Sequence, residues 1–230
     1  MDAGDSREES LTQSRKRSSL DAGDSSVQSS KQKSMTSAGP MIRHISPARY
    51  LKDYMKSNGF DNAGMSLYTT IRELVENSLD AAEFINELPS VQVIIQEIDD
   101  TMIGFTPLNP IYKVICKDNG CGISHDDIPK LLGQVSCGTN FGLKQTRGEN
   151  GIGVKKALIW AQMRTGEPVK ISTSTKGQSY TSVCELSINI EENIPVIKNH
   201  VKALDKEPWH GTEIELVIEG NWSSYRSKIL

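Results

Sequence analysis

Hydrophobic residues recur along this chain at different spacings, and each spacing predicts a different element. Between residues 66 and 87 they recur every three or four positions, which predicts a helix with one apolar side. A shorter helix is predicted over 46–60, because Ser46 can cap it, Pro47 suits its first position and Gly59 suits its end. Two helices are therefore expected before the first strand.

Later segments are rich in β-branched residues and predict strands over 91–98, 111–118, 168–175, 180–191 and 211–219. A stretch with six glycines, residues 133–153, separates the second strand from a predicted helix over 154–164. This order mixes helices with strands that need not alternate with them. It predicts an α/β (more strictly α+β) fold, a two-layer sandwich of helices on a mixed, mostly antiparallel sheet.

The first forty residues differ in composition from the rest of the chain. Residues 1–40 contain eleven serines and no aromatic residue, so they cannot bury enough apolar surface to offset the entropy of folding. We predict a disordered tail over 1–40. Its basic SRKRSS run at 14–19 is compatible with either a nuclear import signal or solvated charge.

Charge and cysteine spacing argue against two kinds of function. The net charge of −3 does not suggest that the surface as a whole binds nucleic acid. The four cysteines show neither paired spacing nor histidine partners at the spacing of a zinc site. Candidate chemistry must therefore come from local motifs.

The first motif is a polar stripe on the predicted helix 66–87. Glu73, Asn77 and Asp80 stand at positions i, i+4 and i+7, so they share one side of the helix. A solvent-facing side is the simplest interpretation of such a stripe. Asn77 is an unusual choice for that purpose, because asparagine is a mediocre helix former.

The second motif follows the predicted strand 111–118. Asp118 ends the strand and the glycines Gly120 and Gly122 come directly after it. A carboxylate at the end of a buried strand can accept a hydrogen bond from an amine held against the turn. A simple Asx turn is the alternative interpretation of the same residues.

The third motif places glycines before a helix. Gly148, Gly151 and Gly153 have the spacing GxxGxG, and amides at a helix start favour an anion. A P-loop is excluded because Val154 stands where that motif needs lysine, and a dinucleotide fold is excluded because no strand precedes the glycines. The signature motifs of protein kinases are also absent.

These motifs, with a threonine that opens a late strand (Thr212), occur here in the order found in the GHKL ATPases, named for gyrase, heat-shock chaperone, histidine kinase and MutL. The stretches ELVENSLDAAE and RGENGIGVKKAL further resemble the B subunits of DNA topoisomerase VI, a type IIB enzyme. The resemblance covers about residues 44–225. The serine-rich tail suggests a eukaryotic version, such as a plant one.

The resemblance implies roles for the motif residues. Glu73 would be the general base for the attacking water, Asn77 the Mg²⁺ ligand and Asp118 the acceptor for the adenine amine. Thr212 would support Asp118 and the base through its hydroxyl. Lys155 and Lys156 would either add charge at the phosphates or point to solvent. Further residues expected at the ATP are Asp80, Gly120, Gly122, Gly148, Gly151, Ile152, Gly153, Val154 and Lys155.

The resemblance also implies domains and partners. We expect an N-terminal strap over 41–65, the ATP-binding domain over 66–225 and the start of a following domain at 226–230. ATP would drive homodimerisation through the strap. The family's other partners are a separate A-type subunit that cleaves DNA and, through the complex, double-stranded DNA in the nucleus; no membrane partner is expected. Without the following transducer domain, turnover of ATP by this chain alone should be slow.

Two other interpretations of the sequence are kept. The chain could be a truncated module that binds nucleotide and partner without hydrolysis. It could also be another GHKL ATPase, either a MutL-type repair protein or a histidine kinase. The kinase is the weakest of these, because no helical histidine precedes the first motif as a phosphoacceptor.

Overall fold

A computed structural model of the chain describes residues 44–99, 107–138, 152–204 and 209–230, which belong to one compact unit. The predicted tail over 1–40 lies outside the described residues. The helices are Pro47–Asp53 (α1), Ala63–Phe84 (α2), Ile128–Gly133 (α3), Gly153–Thr165 (α4) and Trp222–Ile229 (α5). The strands are Val91–Ile98 (β1), Ile111–Asp118 (β2), Val169–Ser174 (β3), Tyr180–Asn189 (β4), Ile194–Leu204 (β5) and Gly211–Glu219 (β6).

The strands form one sheet in the order β1-β2-β6-β3-β4-β5, and every neighbouring pair of these described strands is antiparallel. The predicted two-layer sandwich is confirmed, with an antiparallel rather than a mixed sheet. The last strand, β6, inserts between β2 and β3. Lys117 pairs with Glu213 and Thr173 with Thr212, so the end of β2, the start of β6 and β3 meet at one edge.

Helices α2 and α4 pack on one face of the sheet. Side chains two residues apart on a strand share a face. The helix-facing positions of β2, β6, β3 and β4 are accordingly buried: Tyr112, Val114, Cys116, Ile171, Cys184, Leu186, Ile188, Ile214, Leu216 and Ile218. On the opposite face, Lys113 pairs with Glu215 (3.3 Å) and Lys117 with Glu213 (3.6 Å).

The N-terminal segment is part of this core. Ser46 caps α1 by accepting a hydrogen bond from the backbone N–H of Arg49 (3.0 Å). The predicted helix over 46–60 is interrupted, because α1 ends at Asp53 and a 3-10 turn, Lys56–Asn58, follows it. Buried side chains from the segment join the core: Ala48, Leu51, Met55 and Phe60.

Strands β1, β2 and β6 have their predicted bounds, and α2 begins three residues before its predicted start, capped by Asn62. Helices α3 and α5 and strand β5 were not predicted from the sequence. Helix α5 runs across the predicted domain boundary at 225/226 and stacks Tyr225 on Tyr68 of α2 (6.3 Å between ring centroids). Within the part of the chain that the structure describes, no helix has the length and apolar character needed to cross a membrane.

Candidate functional site

A carboxylate lies buried at the end of a central strand. Asp118 is the last residue of β2 and is only 7% exposed. It continues the alternation of Tyr112, Val114 and Cys116, so its side chain points toward the helix layer at the rim of the core. A charged group in this position needs hydrogen-bond partners to offset the loss of water.

Three donors surround the carboxylate of Asp118. Oδ1 accepts from the backbone N–H groups of Gly120 (2.8 Å) and Thr212 (3.0 Å). Oδ2 lies 3.1 Å from the Ser78 hydroxyl, whose single proton is shared with the carbonyl of Leu74 (3.0 Å). Burial raises the pKa of Asp118, while these hydrogen bonds act in the opposite direction. A carboxylate has about four acceptor positions, so Oδ2 can still accept one hydrogen bond from a ligand.

The glycines after Asp118 allow two close approaches of backbone. A Cβ at Gly120 would lie 2.4 Å from the Cβ of Ala81, so the loop rests directly on α2. Gly122 has φ +69°, and its Cβ would lie 2.1 Å from the carbonyl oxygen of Ser174. The predicted Asx turn is also present, since Asp118 accepts from Gly120. The Asx turn leaves the buried carboxylate in place at the strand end, and its contact with an amine stays a prediction.

The polar stripe of α2 does not face solvent as a whole. Glu73 is 8% exposed, and Asn77 and Asp80 are half-buried, so the simple interpretation of the stripe is wrong for Glu73. Nδ2 of Asn77 donates to the backbone carbonyl of Glu73 (2.9 Å). Oδ1 is then the atom of Asn77 that can meet a ligand. Arg72 donates to Oε1 of Glu73 (2.8 Å), and this bond raises the pKa of Arg72.

The start of α4 lies against Glu73. A Cβ at Gly153 would lie 1.7 Å from Oε2 of Glu73, so a larger residue at this position would displace the carboxylate. The cap residue Ile152 has no polar side chain to satisfy the amides of the first turn. Those amides can therefore serve an anion. Val154 is buried in the core and does not contribute a polar side chain.

Lys155 is buried within the first turn of α4. It is 2% exposed, and its Nζ donates to the backbone carbonyl of Cys137. Burial lowers the pKa of Lys155 to about 8. The expectation that this lysine points to solvent is therefore wrong, whereas Lys156 is half-buried.

These residues form two groups joined by α2. We call Ser78, Asp118, Gly120 and Thr212 the strand-end cluster, and Glu73, Asn77, Gly153 and Lys155 the helix-start cluster. Asn77 and Ser78 are neighbours on α2 and belong to different clusters, so the two clusters are adjacent. Gly148 and Gly151 lie outside the described residues, and their roles stay predictions.

Thr212 contacts Asp118 differently from the sequence-based expectation. Its backbone N–H, rather than its hydroxyl, donates to the carboxylate. Its hydroxyl lies 3.1 Å from that of Thr173, whose own proton goes to the carbonyl of Gly211 (2.8 Å). Thr212 must therefore donate to Thr173. Antiparallel pairing of β2 and β6 brings the amide to this place, whatever the side chain.

Sequence reasoning missed Ser78 and His210. Ser78 falls within the apolar side of α2, between Leu74 and Ala82, and a serine in such a place needs a buried partner. The sequence alone could therefore have indicated that Ser78 has a buried partner. His210 donates through Nδ1 to the carbonyl of Gly120 (3.0 Å), a contact between segments ninety residues apart that no local pattern reveals.

A comparison with protein families decides the class of the chain. The model that describes the histidine kinase-, DNA gyrase B-, and HSP90-like ATPases matches residues 65–215. The chain belongs to this family. The matched range contains every residue of the strand-end and helix-start clusters. As a member of this ATPase family, the chain contains an ATP-binding domain.

Individual relatives narrow the similarity within this ATPase family. The chain is 42% identical to the B subunit of DNA topoisomerase 6 from Arabidopsis thaliana, over 91% of the chain and 40% of that relative. It is 40% identical to the corresponding B subunit from Oryza sativa subsp. indica, over 83% of the chain and 36% of the relative.

An archaeal relative is similar as well. The chain is 37% identical to the B subunit of type 2 DNA topoisomerase 6 from Sulfurisphaera tokodaii, over 80% of the chain and 34% of the relative. The resemblance to topoisomerase VI B subunits is thus confirmed. The chain spans 34% to 40% of the length of these three relatives.

Proposed function

We propose that the chain is the ATP-binding part of a topoisomerase VI-like, type IIB DNA topoisomerase subunit. ATP binding dimerises the subunit and gates the passage of one DNA duplex through another, and hydrolysis resets the clamp. Similarity to three topoisomerase 6 B subunits over 80% to 91% of the chain supports this proposal. The two adjacent clusters supply the residue types that such a nucleotide site needs.

The strand-end cluster fits an adenine base. The unused acceptor position of Asp118 Oδ2 suits the exocyclic amine of adenine. Guanine would bring a carbonyl oxygen against the same buried carboxylate and would be rejected. Gly120 and Gly122 let the loop pack closely against Ala81 and Ser174, which fixes its backbone beside Asp118. This arrangement around Asp118 is the observation that carries the proposal.

The helix-start cluster fits the phosphates. The uncapped amides of Gly153, Val154 and Lys155 are donors at the positive end of a helix dipole. The ammonium group of Lys155 adds a positive charge to the same turn. Gly148 and Gly151 are proposed to extend this set of donors.

Magnesium and the attacking water are assigned to α2. The amide oxygen of Asn77 is the kind of hard ligand that Mg²⁺ prefers, and one protein oxygen suffices when phosphate oxygens and waters complete the shell. Bound Mg²⁺ would neutralise charge on the phosphates. Glu73 lies one helical turn away and is proposed to orient and deprotonate the water. Asp80 lies on the same side of α2 as Glu73 and Asn77, and we propose that it lies near the bound ATP.

The proposed partners depend on the strap, residues 41–65. Ile45, Tyr50 and Tyr54 are each at least half exposed there, and the two tyrosine rings lie 4.5 Å apart. Such an exposed aromatic surface supports ATP-dependent homodimerisation through this segment. An A-type DNA-cleaving subunit, double-stranded DNA and a nuclear location complete the proposal.

Titration with a non-hydrolysable ATP analogue, with and without Mg²⁺, tests the nucleotide site. The unaltered chain should bind, and Mg²⁺ should tighten binding. Glu73→Ala should keep binding and lose ATP turnover, whereas Asn77→Ala should lose the dependence on Mg²⁺. Absence of binding to the unaltered chain, or an unchanged Mg²⁺ dependence in Asn77→Ala, would contradict the proposal.

A mixing experiment separates the topoisomerase subunit from a module that only captures nucleotide and partner. The chain is added to a full-length topoisomerase 6 B subunit with its DNA-cleaving partner, and DNA relaxation is measured. Mixed dimers that contain the chain should form only with ATP and should change the rate of relaxation. ATP-dependent dimers that leave relaxation unchanged would favour the module that only captures nucleotide and partner, and dimers that form equally without ATP would contradict ATP-driven dimerisation.

A further inference from the structure

Asn193 has an unusual backbone conformation for a buried residue. It lies in the turn between β4 and β5, is 7% exposed and has φ +57°. Asparagine adopts this left-handed region more readily than most residues. The backbone N–H of Asn193 donates to the carbonyl of Asn189 (2.8 Å), which closes the turn. The side chain is thereby held inward.

The side chain of Asn193 binds both polar backbone groups of one other residue. Oδ1 accepts from the N–H of Val135 (2.9 Å), and Nδ2 donates to the carbonyl of Val135 (3.2 Å). Two residues away, a Cβ at Gly133 would lie 2.4 Å from the Cβ of Pro195, so the same segment rests directly on the start of β5. Residues 133–135 are thus fixed to the β4–β5 turn.

Residues 133–135 are followed along the chain by a residue that contacts the helix-start cluster. The carbonyl of Cys137, two residues after Val135, accepts the hydrogen bond from Lys155. Ser136 between them has φ +62°, so the path of the chain from Val135 to Cys137 is sharply bent. A buried ammonium group needs such an acceptor, because burial otherwise favours loss of its charge. The position of Lys155 therefore depends on where Cys137 is held.

We infer that Asn193 is a positioning residue for nucleotide binding, which acts through Val135, Cys137 and Lys155 on the first turn of α4. This inference rests on the proposed function, because it assigns the phosphates to that turn. Asn193 itself touches neither cluster. Its effect should be confined to the phosphates, since the contacts of Asp118 do not involve residues 133–137.

The variant Asn193→Gly tests the inference. Glycine keeps the left-handed backbone available and removes the amide that binds Val135. Affinities for ADP and for adenosine are measured by calorimetry and ligand-observed NMR. ADP should bind about tenfold more weakly, because loosening a supporting residue displaces the groups that it positions. Adenosine should bind as before, which also reports that the variant is folded.

Two control variants match the two features of Asn193. Gln162 on α4 makes the same paired contact with the backbone of Ile188 (2.9 and 2.8 Å), so Gln162→Met removes an equivalent pair of hydrogen bonds elsewhere. Asn86 has the same φ of +57° and is exposed, so Asn86→Gly makes the same backbone change without the clamp. Both controls should leave the ratio of ADP to adenosine affinity unchanged.

The outcomes are distinguishable from failure of the proposed function. If the unaltered chain binds neither ADP nor adenosine, the proposed function fails. If it binds both and Asn193→Gly leaves the affinity ratio unchanged, or lowers both affinities equally, the inference about Asn193 is overturned while the proposed function stands. A selective loss of ADP affinity that is also produced by Gln162→Met overturns it as well.

Discussion

The two clusters hold their charges by different means. In the strand-end cluster, strand pairing places the N–H of Thr212 and the Asx turn places the N–H of Gly120 against one carboxylate, and the hydroxyl of Ser78 is the third donor. In the helix-start cluster, the carboxylate of Glu73 lies against Gly153 and accepts from Arg72, and the buried ammonium group of Lys155 donates to the carbonyl of Cys137. Among the described residues, the carboxylate of Asp118 therefore has three donors, whereas Glu73 and Lys155 each have one side-chain hydrogen bond.

This difference separates recognition from chemistry. A carboxylate fixed by one backbone N–H of β6 and one of the loop after β2 can select a base by hydrogen bonding, because these donors cannot move to suit another base. Buried charges that lack full compensation reduce stability and are typically retained for function. We therefore expect changes at the strand-end cluster to alter which nucleotide binds. Changes at the helix-start cluster should alter phosphate binding and stability together.

Asp118→Asn should have the largest effect. Oδ1 must still accept from Gly120 and Thr212, so the new NH₂ group is directed at Ser78 and the ligand. A donor would then face the adenine amine, and ATP affinity should fall about a thousandfold. Because the same donor suits the guanine carbonyl, the preference for ATP over GTP should shrink or reverse. Competition binding with both nucleotides measures this ratio.

The matched control for that ratio is Asp126→Asn. Asp126 is an exposed carboxylate in the 3-10 turn that follows the same loop, so its replacement changes the net charge equally. Affinity for ATP and preference over GTP should both be unaltered. An unchanged preference in Asp118→Asn would show that the strand-end cluster does not read the base.

Gly153→Ala should destabilise the fold. The added methyl group would lie 1.7 Å from Oε2 of Glu73, so the carboxylate must move away from Arg72, which costs about 2 kcal/mol. Thermal unfolding should show a melting temperature lower by about 6 °C. Removing the carboxylate makes room, so in a Glu73→Ala background the same alanine should be neutral or slightly stabilising. Equal penalties in both backgrounds would contradict the assigned contact.

Lys155→Met should raise stability while it weakens ADP binding. The pKa of Lys155 is about 8, below its ordinary value of 10.5, so the unfolded chain holds the proton more tightly than the folded chain. The free energy of unfolding of the unaltered chain should therefore rise with pH between about 8 and 10.5. Below about pH 8, the contribution of Lys155 to that free energy should be unfavourable and independent of pH. The variant should lose this rise.

The net increase in the free energy of unfolding that Lys155→Met should produce at pH 7 is expected to be small. The pKa difference corresponds to about 3 kcal/mol, and part of it is lost because the carbonyl of Cys137 is left without its donor. A net gain of about 1 kcal/mol raises the melting temperature by about 3 °C. Lys156→Met, at the next and half-buried position, should change neither stability nor its pH dependence. A melting temperature that falls in Lys155→Met would mean that this ammonium group is fully compensated.

Much of the fold could be predicted because local patterns reported it directly. Strands β1, β2 and β6 alternate or are bounded by turn residues, and their limits were predicted correctly. Strand β5 lacked such a signal. It is an edge strand with exposed residues on both faces, so its hydrophobic positions follow no period of two. The insertion of β6 between β2 and β3 depends on pairing between distant segments, so no local pattern predicts it.

The site was predictable where each residue belongs to a motif, and not where contacts join distant segments. Glu73, Asn77, Asp118 and Gly153 were recognised by spacing and resemblance. The Lys155–Cys137 and His210–Gly120 contacts depend on how loops meet, which no local pattern encodes. The role of the Thr212 hydroxyl was misjudged because strand pairing, not side-chain chemistry, satisfies Asp118.

Ser78→Ala should have the smallest effect and probes the residue that the sequence could have revealed. The Ser78 proton is shared between Leu74 and Asp118, so its loss should weaken ATP binding only about threefold. The hydroxyl also lowers the pKa of Asp118 against the effect of burial. Without it the carboxyl group should protonate at higher pH. Because Oδ1 accepts two hydrogen bonds from backbone N–H groups, the proton would bind to Oδ2. Protonated Oδ2 would no longer be free to accept the hydrogen bond from the adenine amine.

The loss of ATP affinity on acidification should therefore begin at a higher pH in Ser78→Ala than in the unaltered chain. Binding titrations at a series of pH values below neutral measure this displacement, which follows from the direction in which Ser78 moves the pKa of Asp118. Ser66→Ala is the matched control, because Ser66 is buried on the same helix and donates to the carbonyl of Asn62 four residues earlier (2.7 Å). If both variants show the same pH profile, the hydroxyl of Ser78 stabilises only α2. The backbone donors of the strand-end cluster would then hold Asp118 for adenine without that hydroxyl.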